Sequence, residues 1–327
     1  MNSHTSKQNS PSSNRFQILS LDGGGIKGLF SAAILAHIES DLNIKITDHF
    51  DLIAGTSTGG IIAIALGLGL RPREIVEFYM REGPNIFPGR FGWLRHWYKR
   101  KYPQKPLEEA LQRCFNRDGT QKRFGESNKR LVIPSYNLGE DDVYLFRTPH
   151  HNDLRRDYSV PAWQVARATG AAPTFFSCSR DINSIRLIDG GVWANNPTLV
   201  AVAEAHKTLR VPLSDLYIFS IGTTDSVINR DKRLDNGGII AWGRGNTAVD
   251  VIMRGQSIGV NNQVKFLLGA DHIERLDPKV SADQFSLDNV RSADDLIAKA
   301  AHLSRHFAPK YKEKFANHLA PSYDPLY

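Results

Sequence analysis

The sequence predicts an α/β fold with a mostly parallel central sheet. A short apolar segment runs into a glycine-rich turn and then into a helical apolar pattern. This happens twice, at Phe16–Gly28 and at Phe50–Ile61. Further short apolar segments downstream supply more strands. At 327 residues the chain exceeds the usual single domain, but an elaborated α/β domain reaches that length.

The first strand is Phe16–Leu21, short, apolar and stopped by Asp22-Gly23-Gly24-Gly25. Leu29, Phe30, Ala33, Ile34, Ile38 and Leu42 then recur at helical spacing, so a helix starts near Gly28. Phe50–Ala54 is the second strand and ends in Gly55-Thr56-Ser57-Thr58-Gly59-Gly60. The run from Ile61 reads as a buried helix. Leu131–Tyr136, Val143–Phe146, Arg186–Ile188 and Leu216–Ile221 read as strands, and Pro197–Leu209 as a helix with proline in its first turn. Val260, Val264, Leu267 and Leu268 share one helical face. So do Leu296, Ala300, Leu303 and Phe307, after a Ser292-x-x-Asp295 pattern that resembles a capping box. Thr223–Asn246, rich in Asp, Arg, Asn and Gly, is the best boundary candidate.

Composition excludes several classes. Hydrophobic residues at 41% and charged residues at 23% rule out wholesale disorder. Ile61–Leu70, the longest apolar run, has ten residues and two glycines, too short to span a bilayer. Two cysteines, Cys114 and Cys178, cannot build a disulfide framework, so a reducing, cytoplasmic setting with both as buried packing residues is expected. Residues 1–14 are mostly polar and hold no apolar signal core; a disordered tail is expected there. The net charge of +7 suits anionic partners or simply solubility.

Gly55-Thr56-Ser57-Thr58-Gly59 matches G-x-S-x-G. A serine on a sharp strand-to-helix turn needs small neighbours, and its hydroxyl then projects from the sheet's carboxyl edge. The strand before it and the apolar helix after it are the context this mechanism demands, so Ser57 is the expected nucleophile. Gly23, Gly25 and Gly28 also spell G-x-G-x-x-G, the rival dinucleotide-binding reading, which leaves Ser57 unexplained. Consecutive glycines at 23, 24 and 25 instead let backbone N–H groups approach a reacting oxygen as an oxyanion hole, with Lys27 adding positive charge. The expected base is Asp189 in Asp189-Gly190-Gly191, at a strand's end, rather than His302 or His306, which fall on the C-terminal helix. His150-His151-x-Asp153 reads as a solvated loop, and no metal site is expected.

Taken together, the Asp22–Gly28 loop, the Ser57 elbow and the Asp189–Gly191 segment resemble the patatin-like phospholipases. Further likenesses are residues 166–176, Asn195-Asn196-Pro197 and Ile221-Gly222-Thr223. The resemblance spans roughly residues 16–224. Lys27 stands where many members carry Arg. It implies a three-layer patatin-like domain over 15–224, with 225–327 as a helical extension packed on it. It also implies a lipid acyl hydrolase with a Ser57–Asp189 dyad, an acyl-serine intermediate and no cofactor. Asp22 would tie down the loop. A storage or binding protein with incidental esterase activity remains the alternative from another class.

Phe87–Pro106 carries Arg90, Arg95, Lys99, Arg100, Lys101 and Lys105 among Phe91, Trp93, Leu94, Trp97, Tyr98 and Tyr102. That mixture suits a membrane interface, stacking on nucleotide bases, or aromatics packed under solvated cations. Chain length, lack of a signal peptide and basic charge also resemble the phospholipase effectors of bacterial cyclic-oligonucleotide antiphage systems. The expected partners are therefore membrane phospholipid, a cyclic dinucleotide activator and a second copy of the chain, but no nucleic acid polymer.

Overall fold

The structure is a computed structural model that describes residues 15–88, 101–117, 119–227, 234–238, 242, 247–281, 285 and 287–327. The N-terminal 14 residues, the basic-aromatic stretch from Arg90 to Arg100 and much of 223–246 lie outside the described residues.

The main strands are Phe16–Leu21 (β1), Leu52–Gly55 (β2), Arg130–Asn137 (β3), Asp142–Arg147 (β4), Leu187–Asp189 (β5), Leu216–Ile221 (β6), Asp225–Val227 (β7), Ile273–Leu276 (β8) and Lys279–Ser281 (β9). Seven of them join one sheet in the order β8-β6-β1-β2-β3-β4, with β5 also paired to β3; β7 and β9 form a separate parallel pair. The pairs β8–β6, β6–β1, β1–β2 and β2–β3 are parallel, whereas β4 and β5 run antiparallel to β3. Segment 225–327 thus adds a strand to the main sheet as well as helices.

Register sets the site. Leu21 pairs with both Gly55 and Ile221, so three parallel strands end level and release their loops at one edge. β3 outruns β2: Val132 pairs with Ala54, but Ser135 pairs with Asp189 of β5. β5 therefore comes back along the line of β2, and its last residue arrives at the turn where β2 ends.

The main helices are Gly28–Leu42 (α1), Thr58–Gly67 (α2), Pro72–Ile86 (α3), Lys105–Phe115 (α4), Ala162–Thr169 (α5), Gly191–Ala194 (α6), Thr198–Ala203 (α7), Thr247–Leu268 (α8) and Ala293–Lys314 (α9). Side chains alternate across the sheet. Leu19, Leu21, Phe219 and Ile221 join the core under α1, α2 and α9. Ile18, Leu52, Leu216 and Ile218 join a second core under α7 and α8, with Ala201 and Val264. These two cores make the three layers. Fully burying one Leu or Phe contributes about 1.5–3 kcal/mol, and α9 buries Leu296, Ala300, Phe307 and Tyr311 this way.

Several expectations change. The Ser292 side chain makes no cap to α9; its Oγ donates to the Asn289 carbonyl at 2.8 Å, one turn back. On α8 only Val264 is buried, and Leu267 is 54% exposed; the helix packs mainly on α6 and α7 and reaches the sheet at the edge strand β8. His150 is buried rather than solvated, 3.0 Å from Glu204 Oε1, and Glu204 Oε2 accepts from Arg147 Nη1 at 3.3 Å, so the buried carboxylate has a partner on each oxygen. Cys114 and Cys178 form no disulfide, and each is half-buried rather than buried. Helices α3 and α4 were not expected; α3 buries Ile75, Phe78, Tyr79 and Ile86 at helical spacing and continues past Pro84 in its last turn. Tyr102, from the basic-aromatic stretch, is buried among Phe87, Phe175 and Phe176 and donates to Asp288 Oδ2 at 2.6 Å.

Candidate active site

Ser57 sits between β2 and α2 at φ 55°, a conformation rarely adopted by a residue with a side chain. Three bonds hold the turn there. The Thr56 hydroxyl donates to the Ala194 carbonyl at 2.6 Å, the Ser57 N–H donates to Thr169 Oγ1 at 3.0 Å, and Thr169 donates to the Pro134 carbonyl at 2.7 Å. Close approach explains the motif glycines. A Cβ on Gly55 would meet the Gly59 carbonyl at 2.1 Å, and one on Gly59 the Leu21 carbonyl at 2.2 Å. On Gly28 it would meet Thr58 Oγ1 at 2.1 Å, and on Gly190 the Pro134 carbonyl at 2.4 Å.

The Ser57 hydroxyl donates to Asp189 Oδ2 at 2.5 Å. Asp189 Oδ1 accepts the Gly191 N–H at 2.7 Å, which fixes the carboxylate's rotation. Burial pushes the Asp189 carboxyl up to about 6, against the pull of the Ser57 and Gly191 donors. His302 and His306 stack edge-to-face on exposed positions of α9, with ring centres 5.1 Å apart.

The glycine loop divides its donors. Gly23 gives its N–H to the Asn195 carbonyl at 3.0 Å, so it is not a free donor to a reacting oxygen, contrary to expectation. No acceptor for the N–H of Gly24 or Gly25 lies among the described residues, and both glycines line the cavity that holds Ser57. Gly25 has φ 58°, and its Cβ would sit 2.2 Å from the Leu287 carbonyl, so only glycine fits. Lys27 is also differently engaged. Its ammonium donates to the Thr224 carbonyl at 3.3 Å; burial pushes its pKa down, and Asp277 and Asp250 pull it back.

Residues beyond 225 complete the loop, and sequence reasoning missed them. Arg275 binds Asp22 through both nitrogens, reaches Asp277 at 2.7 Å and donates to Ser220 Oγ at 2.7 Å. Burial works against its charge, but Asp22 and Asp277 outweigh it and its pKa lies above the ordinary value. Burial likewise pushes the Asp22 carboxyl up; with three donors on its oxygens, from Ser257 and Arg275, we read it as the carboxylate. The Leu287 carbonyl accepts the Ile26 N–H at 2.8 Å. Gln256 Oε1 accepts the Asn195 N–H at 2.6 Å.

A cavity of about 300 Å³ opens from Ser57, Asp189, Gly24 and Gly25. Its walls are apolar, with Phe78, Ile86, Phe87, Leu107, Phe175 and Phe176 among them. Val192, Val249 and Ile252 line the same cavity and are 41%, 49% and 63% exposed, so they form its rim. An apolar channel leading to a serine hydroxyl is built to take a long acyl chain to its ester carbonyl.

A three-layer α/β sheet with a serine at its nucleophile elbow defines a serine-dependent ester hydrolase. A family model described as patatin-like phospholipase matches residues 19–202, and the chain belongs to that family. It is similar to a cGAMP-activated phospholipase of Escherichia coli, 32% identical with 92% of each chain covered. A cGAMP-activated phospholipase of Pseudomonas aeruginosa is 31% identical over 82% of this chain and 80% of its own. One from Vibrio cholerae is 34% identical over 64% of each. Family membership displaces the dinucleotide-dependent oxidoreductase alternative.

Proposed function

We propose that the chain hydrolyses carboxylic esters of membrane phospholipids through a Ser57–Asp189 dyad, and that a cyclic dinucleotide switches it on. The observation that carries the chemistry is the Ser57–Asp189 hydrogen bond at the end of an apolar cavity. A buried carboxylate near pKa 6 is ionised at neutral pH yet is a stronger base than an exposed one. Asp189 takes the Ser57 proton as Oγ attacks the ester carbonyl. The oxyanion rests on the N–H groups of Gly24 and Gly25. Asp189 then gives its proton to the departing alcohol, leaving an acyl-serine for water to hydrolyse.

Action at a membrane surface is supported by the rim. Val192, Val249 and Ile252 offer apolar side chains where the cavity meets solvent, so an acyl chain could pass from bilayer to cavity over continuous apolar surface. Regulation is supported by the relatives, which are named for activation by cGAMP, a cyclic dinucleotide. The test is hydrolysis of phospholipid vesicles with and without a panel of cyclic di- and trinucleotides, alongside Ser57→Ala. We expect hydrolysis that requires one cyclic dinucleotide and is lost by several orders of magnitude in the folded variant. Full activity with no nucleotide binding would end the regulatory reading. Near-normal hydrolysis by folded Ser57→Ala would end the dyad.

A further inference from the structure

Asn195 stands beside the dyad with an unused oxygen. Its backbone is held on both sides: the carbonyl accepts from Gly23 and the N–H donates to Gln256. Its side chain is buried, at 8% exposure, yet Oδ1 has no hydrogen-bond partner among the described residues. A buried carboxamide oxygen without a partner is costly and uncommon in native proteins. Two glycines show where it points. A Cβ on Gly23 would lie 2.5 Å from Asn195 Oδ1 and 3.3 Å from Ser57 Cβ. One on Gly191 would lie 3.4 Å from the same oxygen, 3.1 Å from Asp189 Oδ1 and 3.4 Å from Met253 Cε. Gly191, Met253, Asp189 and Ser57 all line the cavity. The side-chain-free face of Gly191 is thus a small bay with an acceptor on either side and a methyl group as its lid.

We propose that Asn195 Oδ1 and the Asp189 carboxylate hold the water that hydrolyses the acyl-serine, over the bare face of Gly191. This rests on the dyad reading above. Water has two hydrogens to place and the bay has two acceptors. One hydrogen stays on the water and is bonded to Asn195 Oδ1, which aims the lone pair at the acyl carbon. The other passes to Asp189 as the oxygen–carbon bond forms and the carbonyl becomes an oxyanion. Collapse breaks the bond to Ser57 Oγ, which takes the proton back from Asp189 and releases the fatty acid. Acylation has no such need, because the Ser57 hydroxyl has one hydrogen and already gives it to Asp189.

The experiment uses the full chain with cGAMP present, a p-nitrophenyl acyl ester, and Asn195→Ala beside the wild type. In the variant the rapid first release of nitrophenol should stay within about threefold of wild type, while steady turnover falls tenfold or more and acyl-Ser57 accumulates by mass spectrometry. Added methanol supplies an independent readout. Its single hydroxyl hydrogen goes to Asp189, so methanolysis does not need Asn195. In Asn195→Ala the ratio of methyl ester to free acid should rise about tenfold. That ratio does not depend on how much of the variant folds. An unchanged ratio, or equal losses in acylation and deacylation, overturns the proposal. Absence of acyl-Ser57 in both proteins overturns the dyad, and this proposal with it.

Discussion

Arg275 grips Asp22 from 253 residues away in sequence, with Nη2 2.6 Å from Oδ2 and Nη1 3.2 Å from Oδ1. Asp22 opens the glycine loop and Arg275 lies on the edge strand β8, so the far end of the chain sets the loop's position. Removing one partner of a buried pair leaves the other charged and alone, at a cost of about 3–5 kcal/mol. Arg275→Gln should lose about that much in chemical unfolding and lose ester turnover as well. Arg275→Lys keeps the charge but not the two-point grip, and should fall between. Unchanged turnover in Arg275→Gln would show that the loop holds its shape without this clamp.

Asp189→Asn should abolish hydrolysis and yet raise stability above pH 6. The folded-state pKa of Asp189 is raised, from about 3.8 to about 6. A raised carboxyl favours the protonated form in the fold. Stability is therefore greatest below about pH 4 with respect to this group, and falls as pH climbs towards 6. Two pKa units correspond to about 3 kcal/mol. An asparagine has no charge to bury and is free of that cost. Thermal melts at pH 8 check this; a variant less stable than wild type would contradict it.

In the proposed mechanism the same group sets the pH profile of catalysis. Asp189 must be ionised to accept the Ser57 proton. Acylation should be level above about pH 6 and drop about tenfold per unit below it. A profile governed by a group titrating near 7, and lost in His302→Ala or His306→Ala, would assign the base to histidine instead.

Gly24→Ala should reduce turnover by about 10²–10³ with little change in KM. The reason lies behind the loop rather than in the cavity. A Cβ there would meet Thr223 Oγ1 at 2.1 Å, and that hydroxyl donates to the Gly23 carbonyl at 3.0 Å. Relieving the clash turns the Gly24 and Gly25 N–H groups off their line. Turnover equal to wild type would remove these two N–H groups from the mechanism.

Ile252→Asp should separate surface from chemistry. The side chain is 63% exposed, so stability should hold within about 0.5 kcal/mol. Hydrolysis of soluble short-chain esters should persist, while vesicle hydrolysis falls tenfold or more. Equal activity on both would mean that the rim does not meet the bilayer.

The candidate site residues were legible because their signals are local: Ser57, Asp189 and the glycine loop each occupy a strand-to-turn junction with its own pattern. Register does the rest, and it places Asp189 by an antiparallel return of β5 that no local pattern announces. Arg275, Gln256 and Leu287 were illegible for the same reason. Arg275 and Leu287 meet the glycine loop and Gln256 meets Asn195, each across more than 60 residues and from a segment whose composition looks ordinary. Lys27 was misjudged by its position in the motif. Only the fold shows its ammonium turned to Thr224, with Asp277 and Asp250 on its other sides. The Ser292 pattern was correct in spacing, but its hydroxyl found the Asn289 carbonyl first.

Helix α8 runs for 22 residues, about 33 Å. Near its start Val249 and Ile252 border the cavity; one turn on, Gln256 and Ser257 hold Asn195, Asn196 and Asp22. A rod of this kind has one mechanical degree of freedom for two tasks. It cannot lift from the mouth and leave the catalytic loop undisturbed. A small molecule wedged beneath it would raise KM and lower kcat together, the signature of a mixed inhibitor, while leaving Ser57 untouched.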